Sequence, residues 1–360
     1  MSDSGSIGRR LAVARIRAGL SLRDLAGAMG RLVSAQAIGK YERGAMRPSP
    51  QVLRVLARAL RVPRGYLRGG SELRLENVEF RRNRLLNRRE EGAIRSRVLM
   101  AVERYLEIEE LVGIASDRWT PPSGRPIRVR SLEEAEAAAA RVRVHWRLGA
   151  GPLLDVAEAL EERGIKVVAL ALPESVSGLA CRARRAHGAP VPVIAINAAD
   201  TGERQRLTLA HELAHLVLQV AESGIAEKAA FRFGAAFLMP AELLWTEVGR
   251  KRRAVSLAEL VQLKRILGTS AQAIVYRLRD LGIIADPAYR QMFDRFDRLG
   301  WLRPPYPEPH PMPKVEPQRF GRLCLRALSE EITSEADAAT LMDMSVARLR
   351  RLLRKLPPGR

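Results

Sequence analysis

Apolar residues in the first 68 positions recur at helical spacing, in short bursts broken by glycine, serine and proline. Ile7, Leu11, Val13 and Ile16 line one helix, which Gly19 ends. Ser21 is placed to cap a second, Leu22–Met29, and Ser34 a third that runs to about Tyr41 and stops at Gly44. After Pro48-Ser49-Pro50 a fourth apolar stripe covers Val52–Leu60. This end of the chain reads as all-α, over residues 1–70.

The pattern then changes. Residues 71–112 read as a strand or extended chain followed by a long helix, with Leu106, Ile108, Leu111 and Val112 as its apolar side. Residues 117–130, with Pro121-Pro122, Gly124 and Pro126, read as a linker that closes a connector over 71–130. Helices are predicted over Leu132–Trp146 and Leu153–Glu162. Strands follow over Ile165–Leu172 and Val191–Ile196, where Pro192 points to a strand start or an edge. Further helices are predicted over Glu203–Val220, Glu222–Phe237, Leu257–Leu267 and from Ser270 to Leu281, making 131–285 an α+β domain. Seven prolines in 301–317 mark a second linker, and Phe320–Leu353 is helical again, so 286–360 reads as a linker and a small helical tail. No internal repeat is evident.

With 61 basic and 40 acidic residues the net charge is +21, and 54 of the basic residues are arginine. Residues 1–70 carry +11, 71–130 +3, 131–240 −1 and 241–360 +8. The positive field gathers at the N-terminal helices, as a polyanionic partner requires. The arginine bias is also what a GC-rich genome produces. There is no apolar run of about 18 residues, so no membrane partner is expected. The first residues form no secretory leader, and Cys181 and Cys324 form neither a disulfide framework nor a thiolate cage. A cytoplasmic location is expected.

Gly30–Gly44, GRLVSAQAIGKYERG, follows the helix-turn-helix design, in which the second helix reads base edges in the major groove of double-stranded DNA. Ser34, Gln36, Ala37 and Lys40 stand where base contacts arise, and Arg43, with Arg9, Arg10, Arg23, Arg31 and Arg47, where phosphates are met. LSLRDLA, VSAQAIGKYERG and RPSPQVLRVLARAL together resemble the Xre/Cro family over about 60 residues. The resemblance implies structural roles for Glu42 and Gly44. Met29–Val33 holds two residues more than the commonest form. Members often bind as two-fold pairs, so a homodimer on a pseudo-palindromic site is expected.

The second motif is His211-Glu212-Leu213-Ala214-His215. Residues i and i+4 share a helical face, so both imidazoles can hold one Zn2+, with Mn2+ the alternative, while Glu212 beside it takes the proton of an attacking water. A third ligand is needed; Glu227, opening the next helix, is the first choice and Glu222 the second. The helix Leu153–Glu162, the following strands, RQRLTLAHELAHLVL and ExxAxxFxxAFLMP resemble the ImmA/IrrE metallopeptidase family over about residues 135–280. That resemblance implies a zincin-like domain with His211, His215 and Glu227 as metal ligands and Glu212 as general base. Ala214 stands where glycine is usual and Phe231 where Asn or Asp is common. No oxyanion-stabilising residue is assigned; His145 and His187 are weak candidates. The family's peptidases cleave helix-turn-helix repressors. The expected protein is therefore a transcription regulator with a fused zinc endopeptidase acting on such a repressor or on itself, in stress, DNA-damage or mobile-element responses. The alternative is a non-catalytic DNA-binding repressor or antitoxin whose peptidase-like domain senses a signal or docks a partner. The flanking segments 71–112 and 290–360 have no chemistry assigned. Arg348, Arg350, Arg351 and Arg354 give the tail the look of another DNA-binding helix pair, for which a basic packing helix is the favoured reading.

Overall fold

A computed structural model describes residues 4–60, 62, 67, 73–82, 86–115, 119–122, 124–185 and 189–355. Among the described residues the N-terminal unit has four helices: α1 (Ser4–Arg17), α2 (Leu22–Ala28), α3 (Ala35–Glu42) and α4 (Pro50–Ala59). Ser21, Ser34 and Ser49 cap the last three with their hydroxyls, as serine does best at that position. Leu11, Leu25, Ile38 and Leu56 close their core.

Next comes β1 (Arg74–Arg82), then the 24-residue helix α5 (Arg88–Leu111), opened by a capping box between Asn87 and Glu90. The remaining elements are β2 (Ile127–Val129), α6 (Leu132–His145), α7 (Val156–Glu161), β3 (Lys166–Leu170), β4 (Val176–Arg184), β5 (Val191–Asn197), α8 (Gly202–Val217), β6 (Leu218–Val220), α9 (Ala226–Leu238), α10 (Ala241–Glu247), α11 (Leu257–Leu267), α12 (Ala271–Asp280), α13 (Asp286–Arg298), α14 (Arg319–Ser329), α15 (Glu335–Leu341) and α16 (Val346–Lys355). The molecule is thus a helical unit, a mixed α/β domain and C-terminal helices.

The main sheet runs β1-β4-β5-β3, with β3 parallel to β5 and the other pairs antiparallel. Both faces are covered. Ala180, Ile194 and Ile196 point to the core of α6 to α9, and Leu179, Cys181, Val193 and Ala195 to α5. Burial pushes the Cys181 thiol up to about 12. Pro192 sits at the start of β5, one residue before its pairing with β3 begins, so the missing N–H costs nothing on that side.

Five expectations are corrected. The connector 71–130 is not separate from the α/β domain, because β1 is a strand of its sheet and α5 covers one sheet face. α5 packs over much of its circumference, and Leu111, assigned to the apolar side, is exposed. Residues 127–129, inside the proposed linker, pair in parallel with β6, and this drawing-out of 218–220 ends α8 earlier than predicted. The core also runs past 285: Phe296 and Trp301 are buried in it and stack at 5.4 Å. Finally, the proline-rich stretch 301–317 is a fixed strap. Glu308 accepts from Lys264 Nζ (3.0 Å) and Ala271 N (2.9 Å), Glu203 accepts from Met312 N (2.9 Å), and Gln205 from Val315 N (2.7 Å).

Lys264 is buried between Glu203 and Glu308, at 2.6 and 3.0 Å. Removing Glu308 leaves Lys264 paired with Glu203 alone and strips the Ala271 N–H of its buried acceptor. We predict that Glu308→Ala lowers stability by about 1–3 kcal/mol in urea unfolding. A change below about 0.5 kcal/mol, the range of an ordinary surface substitution, would mean the strap lies loosely on the domain.

Candidate metal centre and nucleic-acid interface

Helix α8 begins at Thr201, whose hydroxyl caps Arg204 N, and is buried along nearly its whole length. Its first turn is pressed under the strap: a Cβ on Gly202 would stand 2.1 Å from the Pro313 carbonyl. On the sheet side, β4 passes so close at Gly178 that a Cβ there would meet Thr208 Cγ2 at 2.5 Å and Glu212 Cγ at 3.6 Å. Glu212 and His211 are fully buried, while the His215 side chain keeps 11% of its exposure.

His211 Nε2 and His215 Nε2 lie 3.1 Å apart, as the i,i+4 spacing dictates. α9 returns alongside α8 and brings Glu227, in its first turn, to 3.4 Å from His211 Nε2 and 3.6 Å from His215 Nε2. Two ligands about 2.1 Å from one tetrahedral ion stand roughly 3.4 Å apart, so this donor set fits a Zn2+-sized ion. Among the described residues it is the one group of three or more His, Cys, Asp or Glu able to meet on a single ion. Glu227 is 64% exposed, so the group opens to solvent on its α9 side. Glu222 is exposed, one element earlier, outside the group.

Residues to which sequence reasoning gave no positioning role hold this geometry. α8 and α9 touch at Gly234, where a Cβ would come within 3.1 Å of His211 N and 3.3 Å of Ala210 C. Phe231, one turn beyond Glu227, sets its ring against His211 at 4.5 Å and 65°. The Phe231 ring thus steadies the imidazole by an aromatic edge contact. Arg232 reaches Asp280 (3.3 Å), and Arg277 grips Glu136 (2.5 and 2.6 Å) and the Met239 carbonyl (3.0 Å), tying α9 to α6 and α12. The Arg277–Glu136 partners are 141 residues apart, beyond any local pattern. His145 is exposed at the end of α6, away from the donors, and His187 lies outside the described residues.

At the other end of the chain α3 offers Ser34, Gln36, Lys40 and Arg43 to solvent, with Ala37 half-buried, while Ile38 and Tyr41 face the core. Glu42 receives Arg15 in two bonds (2.6 and 2.9 Å), clamping α3 to α1. Gly44, at φ 71°, ends α3 in the left-handed conformation glycine favours. The two additional turn residues are absorbed by Gly30 and Arg31, both with positive φ (65° and 57°).

The fold and these two surfaces define a helix-turn-helix unit joined to a peptidase-like α/β domain. Residues 11–67 match the family model described as helix-turn-helix, and residues 160–279 match the peptidase M78 family, described as the IrrE N-terminal-like domain. A search of curated proteins finds no match. The chain therefore carries, in order, a segment similar to helix-turn-helix domains and one similar to the IrrE N-terminal-like domain.

The Gly234 contact makes a prediction. Gly234→Ala sets a methyl 3.1 Å from His211 N, closer than an ordinary contact, so α9 must give by a few tenths of an ångström and carry Glu227 with it. We expect a loss of about 1–3 kcal/mol in unfolding free energy, and a weaker Zn2+ affinity in competition with a chromophoric chelator. Unchanged affinity would show that Glu227 is positioned independently of this contact.

Proposed function

We propose that this protein is a DNA-binding transcription regulator whose fused domain is a zinc-dependent endopeptidase, cleaving a helix-turn-helix repressor or its own chain. The observation that carries the reading is the meeting of His211, His215 and Glu227 beside the buried Glu212. Those three residues would hold the ion, which supplies Lewis-acid polarisation of the scissile carbonyl and acidification of a water. Glu212 takes the proton of the attacking water and delivers it to the leaving amine. Its burial under β4 fixes its carboxylate relative to the histidines. α3 enters the major groove, with Gln36 and Lys40 on base edges and Arg43 on phosphate.

One observation favours a second reading, a non-catalytic repressor or antitoxin whose peptidase-like domain binds a partner. β1 fills the outer edge of β4, with Arg81 opposite Gly178 beside Glu212, and that edge is where an extended peptide adds a strand. In the catalytic reading β1 restrains the enzyme until it is displaced.

Two experiments decide. Glu212→Gln keeps the side chain's size and cannot accept the proton. It is expected to retain metal and DNA binding and to abolish cleavage, with target-gene output after stress held at the uninduced level. Equal output from wild type and variant would establish the second reading. For DNA, Gln36→Ala with Lys40→Ala is expected to relax sequence preference, each lost base contact costing about 1–3 kcal/mol of discrimination. Arg43→Ala is expected to weaken all sequences alike. An unaltered preference in the double variant, read by selection from a random duplex pool, would remove α3 from the groove.

A further inference from the structure

The tail repeats the design of the N-terminal unit. α15 opens at Ser334, whose hydroxyl caps Asp337 N, as α2 opens at Ser21 capping Asp24 N. From the capping serine onward the two segments alternate alike: exposed, half-buried, two exposed, then the buried pair Ala338-Ala339 where α2 has Leu25-Ala26. Ser345 then stands before α16 as Ser34 stands before α3, each hydroxyl accepting from the backbone N–H three residues on, at 3.2 Å. Leu349 falls in the place of Ile38, both fully buried. The tail's turn is two residues shorter, 342–345 against 29–34. Those are the two residues by which the N-terminal turn exceeds the commonest helix-turn-helix form. α14, α15 and α16 close their own small core around Ala338, Ala339 and Leu349, with Leu325, Leu328 and Leu353.

We propose that residues 319–355 are a second helix-turn-helix and that α16 binds duplex DNA. In that alignment Lys40 and Arg43 of α3 correspond to Arg351 and Arg354, and Ala37 to Arg348. All three arginines are exposed, and none makes an ion pair among the described residues. Arg350 is held by Glu335 at 2.7 Å. α16 contains four arginines, a lysine and no carboxylate, so its outer face complements a phosphate backbone and would repel a basic partner. A merely solvated helix face carries both signs, as α13 does with Arg290, Asp294, Asp297 and Arg298, all exposed. The tail also adjoins the first unit: Asp343, in the turn before α16, pairs with Arg17 at the end of α1 and with Arg104 of α5 (3.2 Å). One chain therefore presents two reading helices from neighbouring mounts.

The test uses the full chain and a labelled duplex pool of random sequence, with anisotropy titrations between roughly 50 and 200 mM salt. The triple variant Arg348→Ala, Arg351→Ala, Arg354→Ala is expected to flatten the slope of log K against log salt by about 2–3, since each phosphate contact contributes about 0.9. The same three positions changed to Lys are expected to keep the slope. Lys40→Ala with Arg43→Ala is expected to flatten it separately, and combining both sets to flatten it further. All replaced side chains are exposed, and thermal melts confirm that the variants fold as wild type does. A slope unchanged by the alanine triple overturns the proposal and leaves the face to a protein partner. Single-stranded RNA binding with the same tail-dependent slope as duplex would also overturn it, marking the face as a general polyanion surface.

Discussion

Everything in this molecule leans on α5. Its residues Ile94, Val98, Val102 and Leu106 cover one face of the main sheet. Met100 enters the core of the N-terminal unit, and Glu103 meets Arg10 of α1. Tyr105, Ile108 and Val112 pack against α14 and α15. A helix buried on three sides belongs to the interior. Polar groups at its far end are satisfied inside: Glu109 pairs with buried Lys166 of β3 at 2.7 Å, and Tyr105 donates to Glu161 of α7, which also accepts from Arg319 N. Burial pulls Lys166 below its ordinary value, opposed by Glu109, and pushes Glu161 up. The DNA-facing units and the peptidase-like sheet thus share one helix, and a shift at either is felt along it.

The second dependence is the close approach of α8 and α9 at Gly234. It allows a solvent-exposed Glu227 to meet two histidines, one of them fully buried. Around it, three buried arginines do what backbone cannot do for itself. Arg143 serves the carbonyls of Phe237, Gly149 and Gly151; Arg206 serves Gly268, Leu153 and Leu154; Arg277 serves Met239 and Glu136. Each guanidinium spreads several donors over loop ends that would otherwise lose water without replacement. For these residues, arginine abundance is structural and not a mark of base composition.

What the sequence made legible was local. The helix-turn-helix rests on capping serines and an i,i+3/i+4 stripe, and the His211–His215 pair on one helical turn, so both could be read from short windows. Glu227 was readable because it opens the next helix. β4 was not: VSGLACRAR has little alternation, since both its faces and both its edges are covered, and Gly178 is there to admit Thr208. The strap 301–317 has a linker's composition, and only the buried Glu308 and its distant partner Lys264 fix it. β1 joins a sheet whose next strand is about a hundred residues on. The likeness between tail and N-terminal unit escaped because few identities carry it; it lies in cap positions and in which residues are buried.

The two-fold pairing expected of a single helix-turn-helix takes on another meaning here. A symmetric operator ordinarily requires two copies, because one chain supplies one reading helix. A chain that mounts α3 and, on the proposal above, a second reading helix α16 beside the same long helix supplies two unlike ones. The link between them is short and charged: Arg17, Asp343 and Arg104 join the end of α1, the turn before α16 and the middle of α5. Arg104 is the least exposed of the three, and burial weakens its hold on a proton while Asp343 opposes that effect. The separation of the two DNA-facing helices is then set by the same α5 that covers the back of the peptidase-like sheet. On that proposal, one packed element ties together the sheet behind the histidine pair and both DNA-facing helices.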